Sequence, residues 1–303
     1  MIRSFLRLNT ELLGVEPRRR SELLERLLAR GEAISGASDW RALGFRALSP
    51  APMPAVAAVS FLASQAHAAQ PAPADFTWVF MATPVHLEPG LDNVRLPSDG
   101  IVCLSDEEAR ELAQEFERLW VDTPFRLQAM EGSLHVLSRT PAPASTHDPS
   151  AFAGEHIDEY LPVGAGARFL KALMSEIEMW LFEHPLNRER GRLGRSIVSG
   201  LWLWGGGERL EQLPATDFRA EGTDALFGAF DQAGQDTRVV VASHPPGSAE
   251  WQAGEEPWLR ACVAGLKGDD SLVISLGRRL LQIKGRRTWR LFQKIRAWWE
   301  YFE

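Results

Sequence analysis

The stretch Glu183–Leu210, EHPLNRERGRLGRSIVSGLWLWGGGERL, joins a His-Pro step, an alternating Leu-Trp-Leu-Trp run and three consecutive glycines, with five arginines among them. Alternation at period two reads as a strand whose indoles, Trp202 and Trp204, share one face. Gly205, Gly206 and Gly207 then read as a loop, either a turn or a phosphate cradle, because glycine lets backbone approach a ligand closely. The spacings G-x-x-x-x-G-K-[ST] and G-x-G-x-x-G are not met, so the triplet alone names no nucleotide. Just upstream, His184, Asn187, Arg188 and Arg190 form a dense polar cluster after an apolar helix. Arginine's planar fork suits phosphate or carboxylate oxygens and histidine adds a donor, so these four are candidate anion ligands. Surface charge at a helix end is the plainer alternative.

Working outward, ARFLKALMSEIEMWLFEH has the spacing of a helix that must end near Pro185. Before it lies a long loop, PAPASTHDPSAFAGEHIDEYLPVGAG, in which His147 and Asp148 are candidate ligand or catalytic groups; long loops in compact domains often carry function. FRLQAM-EGS-LHVLS reads as a hairpin turning at Glu131 to Ser133. LSDEEARELAQEFERLW opens with Ser105 and Glu108 as a capping box on an amphipathic helix. FTWVFMATPVHL reads as a strand and SQAHAAQPAPAD as a linker, while AVAAVSFLA is a buried segment of either kind. SELLERLLAR predicts a helix with Ser21 as its cap. TRVVVAS, EEPWLRACVAGLKG and the pair SLVISLG-RRLLQIKG predict strand, helix and two strands. Strands interleaved with helices at both ends predict an α/β chain.

The chain has 303 residues, 45% of them hydrophobic and 24% charged, an ordinary globular balance. A formal net charge of -7 argues against nucleic-acid binding through overall charge, while leaving room for a local anion pocket. Cys103 and Cys262 sit in no metal or redox spacing and read as reduced thiols of a cytoplasmic protein. The N-terminal segment lacks the pattern of a signal peptide, and no run is apolar enough for a membrane span. The tail RRTWRLFQKIRAWWEYF predicts a C-terminal helix with Arg286, Arg287, Arg290, Lys294 and Arg296 among tryptophans. It reads as a packed helix with a basic face and as a possible protein-binding surface.

The order of these segments resembles the archaeal-type cofactor-independent (2,3-bisphosphoglycerate-independent) phosphoglycerate mutases of the alkaline phosphatase superfamily. In that family a helix leads into N-H-P-V-N-R-K-R and a strand reading I-W-L-W-G-Q-G; here EHPLNRER precedes GLWLWGGG at matching spacing. GSLHVLS, STHDP and GIVCLSDEEARELAQEFERL resemble further family segments in the same order. The resemblance implies an alkaline-phosphatase-like α/β core, here reduced, formed by residues 1–70 and 215–303. It also implies an inserted α+β lid over 76–214 that grips the substrate's phosphate and carboxylate. On it, His184, Asn187, Arg188, Arg190, His147, Asp148 and Gly205 to Gly207 would bind a phosphorylated small molecule.

The family's core uses two divalent metals, manganese or zinc, and a serine nucleophile in a loop G-S-D-V-A-N-L-S-L-L-G. The counterpart here, MPAVAAVSFLA, places Pro54 at the serine, Ala55 at the metal-binding aspartate and Ala58 at the asparagine. VVVASHPPGSAEW and SLVISLGRRLL stand where the family carries D-x-x-G-H and D-H, and Leu134 replaces the arginine of Y-R-H. Without nucleophile or ligands, the expectation is a catalytically inactive relative with no metal cofactor, which binds a phosphorylated metabolite in a regulatory or sensing role. The alternatives are an active metal-dependent mutase or phosphatase with a rearranged site, and an interaction scaffold.

Overall fold

A computed structural model describes residues 1–34, 39–65, 74–130, 132–216, 218–231, 236–277, 279–285 and 295–302. The chain forms two compact units, Met1–Met53 joined with Pro214–Glu303, and Pro54–Leu213. The first segment contributes β1 (Ile2–Leu8), α1 (Glu22–Leu28), β2 (Glu32–Ala33) and α2 (Trp40–Leu48). The continuous unit begins with α3 (Val56–Gln65), β3 (Trp78–Val85), and the short pair β4 (Glu88–Pro89) and β5 (Val94–Arg95). It continues through α4 (Asp106–Leu119), β6 (Phe125–Met130), β7 (Ser133–Ser138), α5 (Ala167–Phe182), α6 (Pro185–Arg192) and β8 (Gly200–Glu208). The returning chain adds β9 (Phe218–Glu221), β10 (Asp236–Val241), α7 (Ala249–Ala253), α8 (Glu255–Gly265), β11 (Ser271–Leu276) and β12 (Arg279–Lys284).

In the discontinuous unit six strands run in the order β2-β12-β11-β1-β10-β9. β9, β10, β1 and β11 are parallel, and β12 and β2 extend the sheet antiparallel. This is the expected α/β class. β1 is buried from Ser4 to Leu8, as expected for a central strand covered on both faces. Leu6 and Leu8 pack with Leu24 and Leu27 of α1 and with Trp251 and Leu259 of α7 and α8. Phe5 lies beside Gly44 of α2, where Phe45 meets Phe218 edge-on at 5.9 Å. The buried Asp224 pairs with Arg41 at 2.8 Å and accepts from the backbone N–H groups of Leu226 and Phe227. Burial pushes its carboxyl up, but Arg41 and the two N–H donors outweigh this and hold it below the usual carboxylate range.

Two expectations change here. Ser21 precedes α1 but makes no side-chain cap, and its buried hydroxyl has no hydrogen-bond partner. The tail, where described, is a single 3-10 turn at Trp298–Tyr301 rather than a helix. Trp298 is fully buried in the unit's core and donates to the Arg19 carbonyl at 2.9 Å, so this indole anchors the fold. Arg286, Arg287, Arg290 and Lys294 lie outside the described residues.

The continuous unit is α+β: an antiparallel sheet, β6-β7-β3-β8, with helices on both faces. On one face Leu112 and Phe116 of α4 and Leu173 and Ile177 of α5 pack against Leu127, Val136, Leu201 and Leu203. α4 begins on the expected capping box, Ser105 and Glu108 exchanging side-chain and backbone bonds at 3.2 and 2.8 Å. The β6–β7 pair is the expected hairpin, with Glu131 of its turn outside the described residues. On the opposite face lies α3, buried through Val56, Ala57, Ala58, Val59 and Phe61 and packed on β3 and β8. The boundary therefore falls at Pro54, not at residue 70, because α3 has its apolar face on this sheet.

His135 of β7 sits under α3, completely buried, with Nε2 3.2 Å from Ser60 Oγ and the Phe61 ring edge-on at 5.4 Å. Its Nδ1 has no hydrogen-bond partner, and burial pushes the imidazole down to about 3. An unfolded histidine protonates near its ordinary value of about 6.5, so the unfolded chain holds the extra proton between there and about pH 3. Stability contributed by the neutral ring is present above pH 6.5 and declines as pH falls through this window, by at most about 1.4 kcal/mol per pH unit. Denaturant titrations across the window should show a shallower acid slope in His135→Gln than in the parent chain; parallel slopes would refute the assignment.

Candidate functional site

The cluster after the long helix is itself helical. Pro185 can continue no preceding helix but suits a first helical position, and the chain restarts there as α6. His184 caps it, Nδ1 accepting from the Leu186 N–H at 3.1 Å, while Nε2 lies 3.0 Å from Glu115 Oε2 in poor alignment for a hydrogen bond. Asn187 is buried: its Nδ2 donates to the carbonyls of Leu181 and Val198 at 2.7 and 2.9 Å, and its Oδ1 accepts from the Val198 N–H at 2.8 Å. Arg190 is buried too, donating to the Ser196 carbonyl and to Glu108 Oε1, both at 2.7 Å. Burial pushes the Glu108 carboxyl up, but the Ser105 N–H and Arg190 outweigh it and hold it below its usual range. His184, Asn187 and Arg190 are thus brought together, as a clamp joining α4, α5 and the entry to β8. Of the four, Arg188 alone is exposed, with one long contact to the Glu183 carbonyl at 3.3 Å.

The glycine triplet departs further from expectation, because Gly205 to Gly207 belong to β8 and form no loop. Met81 pairs with Trp204 and Val79 with Gly207, so β8 carries one residue more than a regular ladder. Gly205 absorbs the irregularity at φ +62°, a backbone region that favours glycine, and its N–H donates to Thr146 Oγ1 at 3.0 Å. A Cβ on Gly206 would come within 2.2 Å of the Phe80 ring, and one on Gly207 within 2.2 Å of the Ala55 Cβ. A Cβ on Gly205 would stand 3.1 Å from the Val56 Cβ. Gly205 and Gly207 thus let α3 seat on the strand, while Gly206 makes room for the Phe80 ring.

His147 and Asp148 lie on the loop that covers the tryptophan face of β8. The Trp202 indole donates to the His147 carbonyl at 2.9 Å, and Trp204 donates to Thr83 Oγ1 at 2.8 Å. Asp148 Oδ1 accepts from the Ser150 N–H at 2.9 Å, capping a 3-10 turn, and His147 Nδ1 lies 3.3 Å from the Tyr160 carbonyl. Phe152 stacks on Tyr160 at 4.3 Å and meets Trp202 at 5.0 Å. The loop is therefore pinned to the sheet by Trp202. His147 and Asp148 share no hydrogen bond or ion pair with the α6 cluster among the described contacts.

A pocket of about 230 Å³ opens beside that tryptophan, and sequence reasoning missed it. Its wall is one face of α5, where Lys171, Met174, Ser175 and Glu178 recur at helical spacing, opposite Ile157 and Leu161 of the loop and Leu201 and Trp202 of β8. The usable signal was that spacing: charge and hydroxyl on a helix face adjoining the apolar one. Lys171 and Glu178 are exposed at its rim and form no ion pair among the described residues. The volume is below the roughly 300–1,000 Å³ of drug-sized sites, so the space suits a small metabolite.

Among the described residues, the metals implied by the resemblance find no matching donors. Ala55, at the place of the metal-binding aspartate, is packed against Gly207. Among the described residues no three His, Cys, Asp or Glu side chains converge on a metal position. The described residues do not fit the metal centre that the resemblance implies.

Comparison with known proteins supports the resemblance. No family model matches the chain. The 2,3-bisphosphoglycerate-independent phosphoglycerate mutase of Methanosarcina mazei is 29% identical over 112 residues, covering 37% of this chain and 27% of the relative. The probable enzyme of the same description from Geobacter sulfurreducens is 29% identical over 107 residues, 35% of this chain and 27% of that one. That of Methanothrix thermoacetophila is 37% identical over 59 residues, 20% of this chain and 15% of the relative. The matches thus span no more than about a quarter of the length of these relatives. Among solved structures, a cofactor-independent phosphoglycerate mutase from Thermoplasma acidophilum superposes over 97% of this chain and 93% of its own at 12% identity, with a TM-score of 0.39. A Pyrococcus horikoshii protein does so over 97% and 90% at 13% identity, with a TM-score of 0.40. Superpositions this loose carry no residue correspondence. The chain is similar in sequence to the phosphoglycerate mutases.

Three substitutions check these structural roles. Asn187→Ala leaves two carbonyls and one N–H without their partner and should lower unfolding free energy by about 2–4 kcal/mol. Gly206→Ala should cost about 1–3 kcal/mol or more, because the Phe80 ring must move. Arg188→Ala, at the surface, should stay within about 0.5 kcal/mol of the parent. Chemical denaturation of the three variants reads this order directly, and a neutral Asn187→Ala would return that side chain to the pool of ligand donors.

Proposed function

We propose that this chain is a phosphoglycerate-mutase-like binding protein that does not carry out metal-dependent phosphoryl transfer. It holds a small anionic metabolite, phosphorylated in the sense the resemblance suggests, on its 54–213 unit, in a sensing or regulatory role. The observation carrying this reading is the packing at Pro54 and Ala55. Where the resembled family has a nucleophile and a metal ligand, this chain has the start of a helix pressed onto β8. Phosphoryl transfer depends on neutralising charge and positioning the attacking oxygen, and a proline and an alanine offer neither. The pocket along α5 supports the binding half of the reading, with Lys171 as its cation.

We assign His184, Asn187 and Arg190 to the fold rather than to the phosphate grip first expected of them, because Asn187 and Arg190 are hydrogen-bonded within it and His184 caps α6 through Nδ1. Arg188 and His147 remain as surface donors that a phosphate could recruit. The experiment combines turnover with binding. With manganese or zinc added, 3-phosphoglycerate should not be converted to its 2-isomer. At millimolar concentration the same compound should raise the melting temperature by mass action on the folded state, and Lys171→Ala should diminish the rise. Metal-dependent isomerisation would overturn the non-catalytic reading; an unmoved melting temperature would overturn the binding one.

A further inference from the structure

The α5 pocket has opposite charges at its two ends. Lys171 and Glu178 are seven residues apart, two turns of helix and about 10.5 Å along the axis, too far to neutralise each other directly. Neither has another ion-pair partner among the described residues. Between them the pocket is lined by Met174 and Ser175 on the helix and faced by Leu161 and Trp202, so the middle is mainly apolar with one hydroxyl, Ser175, on the Glu178 side of the midpoint. A ligand with a single anionic group would satisfy the lysine and leave the carboxylate unanswered. A ligand anionic at both ends, such as 3-phosphoglycerate, would bring its second charge toward Glu178 and so bind this pocket more weakly than one carrying a cation there.

We propose that this pocket binds a small zwitterion with its charges at opposite ends of an apolar chain. An oxyanion, carboxylate or phosphate, meets Lys171; an ammonium meets Glu178, with the Ser175 hydroxyl as a further acceptor; the chain lies on Leu161, Met174 and Trp202. The inference deepens the binding reading above and rests on it. Charge-assisted bonds at both ends orient the ligand, and the apolar middle selects for length.

Calorimetry on the full chain with four probes tests it: 6-aminohexanoate, 6-aminohexyl phosphate, hexanoate and hexylamine. At least one zwitterion should bind, with hexanoate and hexylamine each weaker by about tenfold or more, the loss expected for one charge-assisted contact. The tighter of the two zwitterions identifies the anionic end as carboxylate or phosphate. Lys171→Glu and Glu178→Lys should each abolish zwitterion binding. The double variant should restore it, because the ligand can enter reversed, and that rescue separates recognition from damage to the helix. If hexanoate binds as tightly as the zwitterions in a Lys171-dependent manner, the zwitterion is overturned while the binding reading stands. If no probe binds and 3-phosphoglycerate gives no thermal shift, both fall.

Discussion

The seating of α3 on β8 is the contact on which the 54–213 unit depends. A helix rests on a strand at this distance only where the strand carries no Cβ, and Gly205 and Gly207 supply two such positions against Val56 and Ala55. The bulge at Gly205 leaves one N–H out of the ladder, and Thr146 accepts it, tying the long loop to the same point. From there Trp202 holds the His147 carbonyl and Phe152, so the loop becomes a wall. That wall and α5 then define the pocket. Helix seat, loop anchor and binding space follow from one segment of backbone.

The polar residues of α6 illustrate a general ambiguity. A buried amide or guanidinium must be fully hydrogen-bonded wherever it sits, and the donors that would grip an anion are those that satisfy carbonyls at a helix end. Asn187 bridges the last turn of α5 and Val198, two residues before β8. Arg190 extends this to α4 through a carboxylate that already serves in the capping box of that helix. A motif shared with phosphoglycerate mutases can therefore persist for the sake of the fold alone.

The elements readable in the sequence were those whose signals are local. The box at Ser105 and Glu108 marks the start of α4, the EGS turn between two apolar stretches marks the β6–β7 hairpin, and the apolar runs VVVA and SLVISL mark β10 and β11. α6 escaped notice because a proline was read as a stop, when Pro185 is a first helical position under a histidine cap. The triplet was misread because glycine marks loops and close approaches alike, and only the partner, here Ala55 and Val56, distinguishes them. Ser21 had the residue type of a cap without its geometry. The pocket depended on which loop lies across α5, a long-range fact that no window of sequence contains.

The additional residue in β8 also changes the phase of everything that follows it. Trp202 and Trp204 face α3's side of the sheet; in an unbroken alternation Glu208 would join them there. The bulge inverts the count, so Gly207 comes up against Ala55 and Glu208 pairs with Trp78, whose ring packs toward the α4–α5 core. Loss of one glycine would not shorten a turn. It would exchange inside for outside along the end of the strand, and an alignment that slips by one position across the triplet makes the same error on paper.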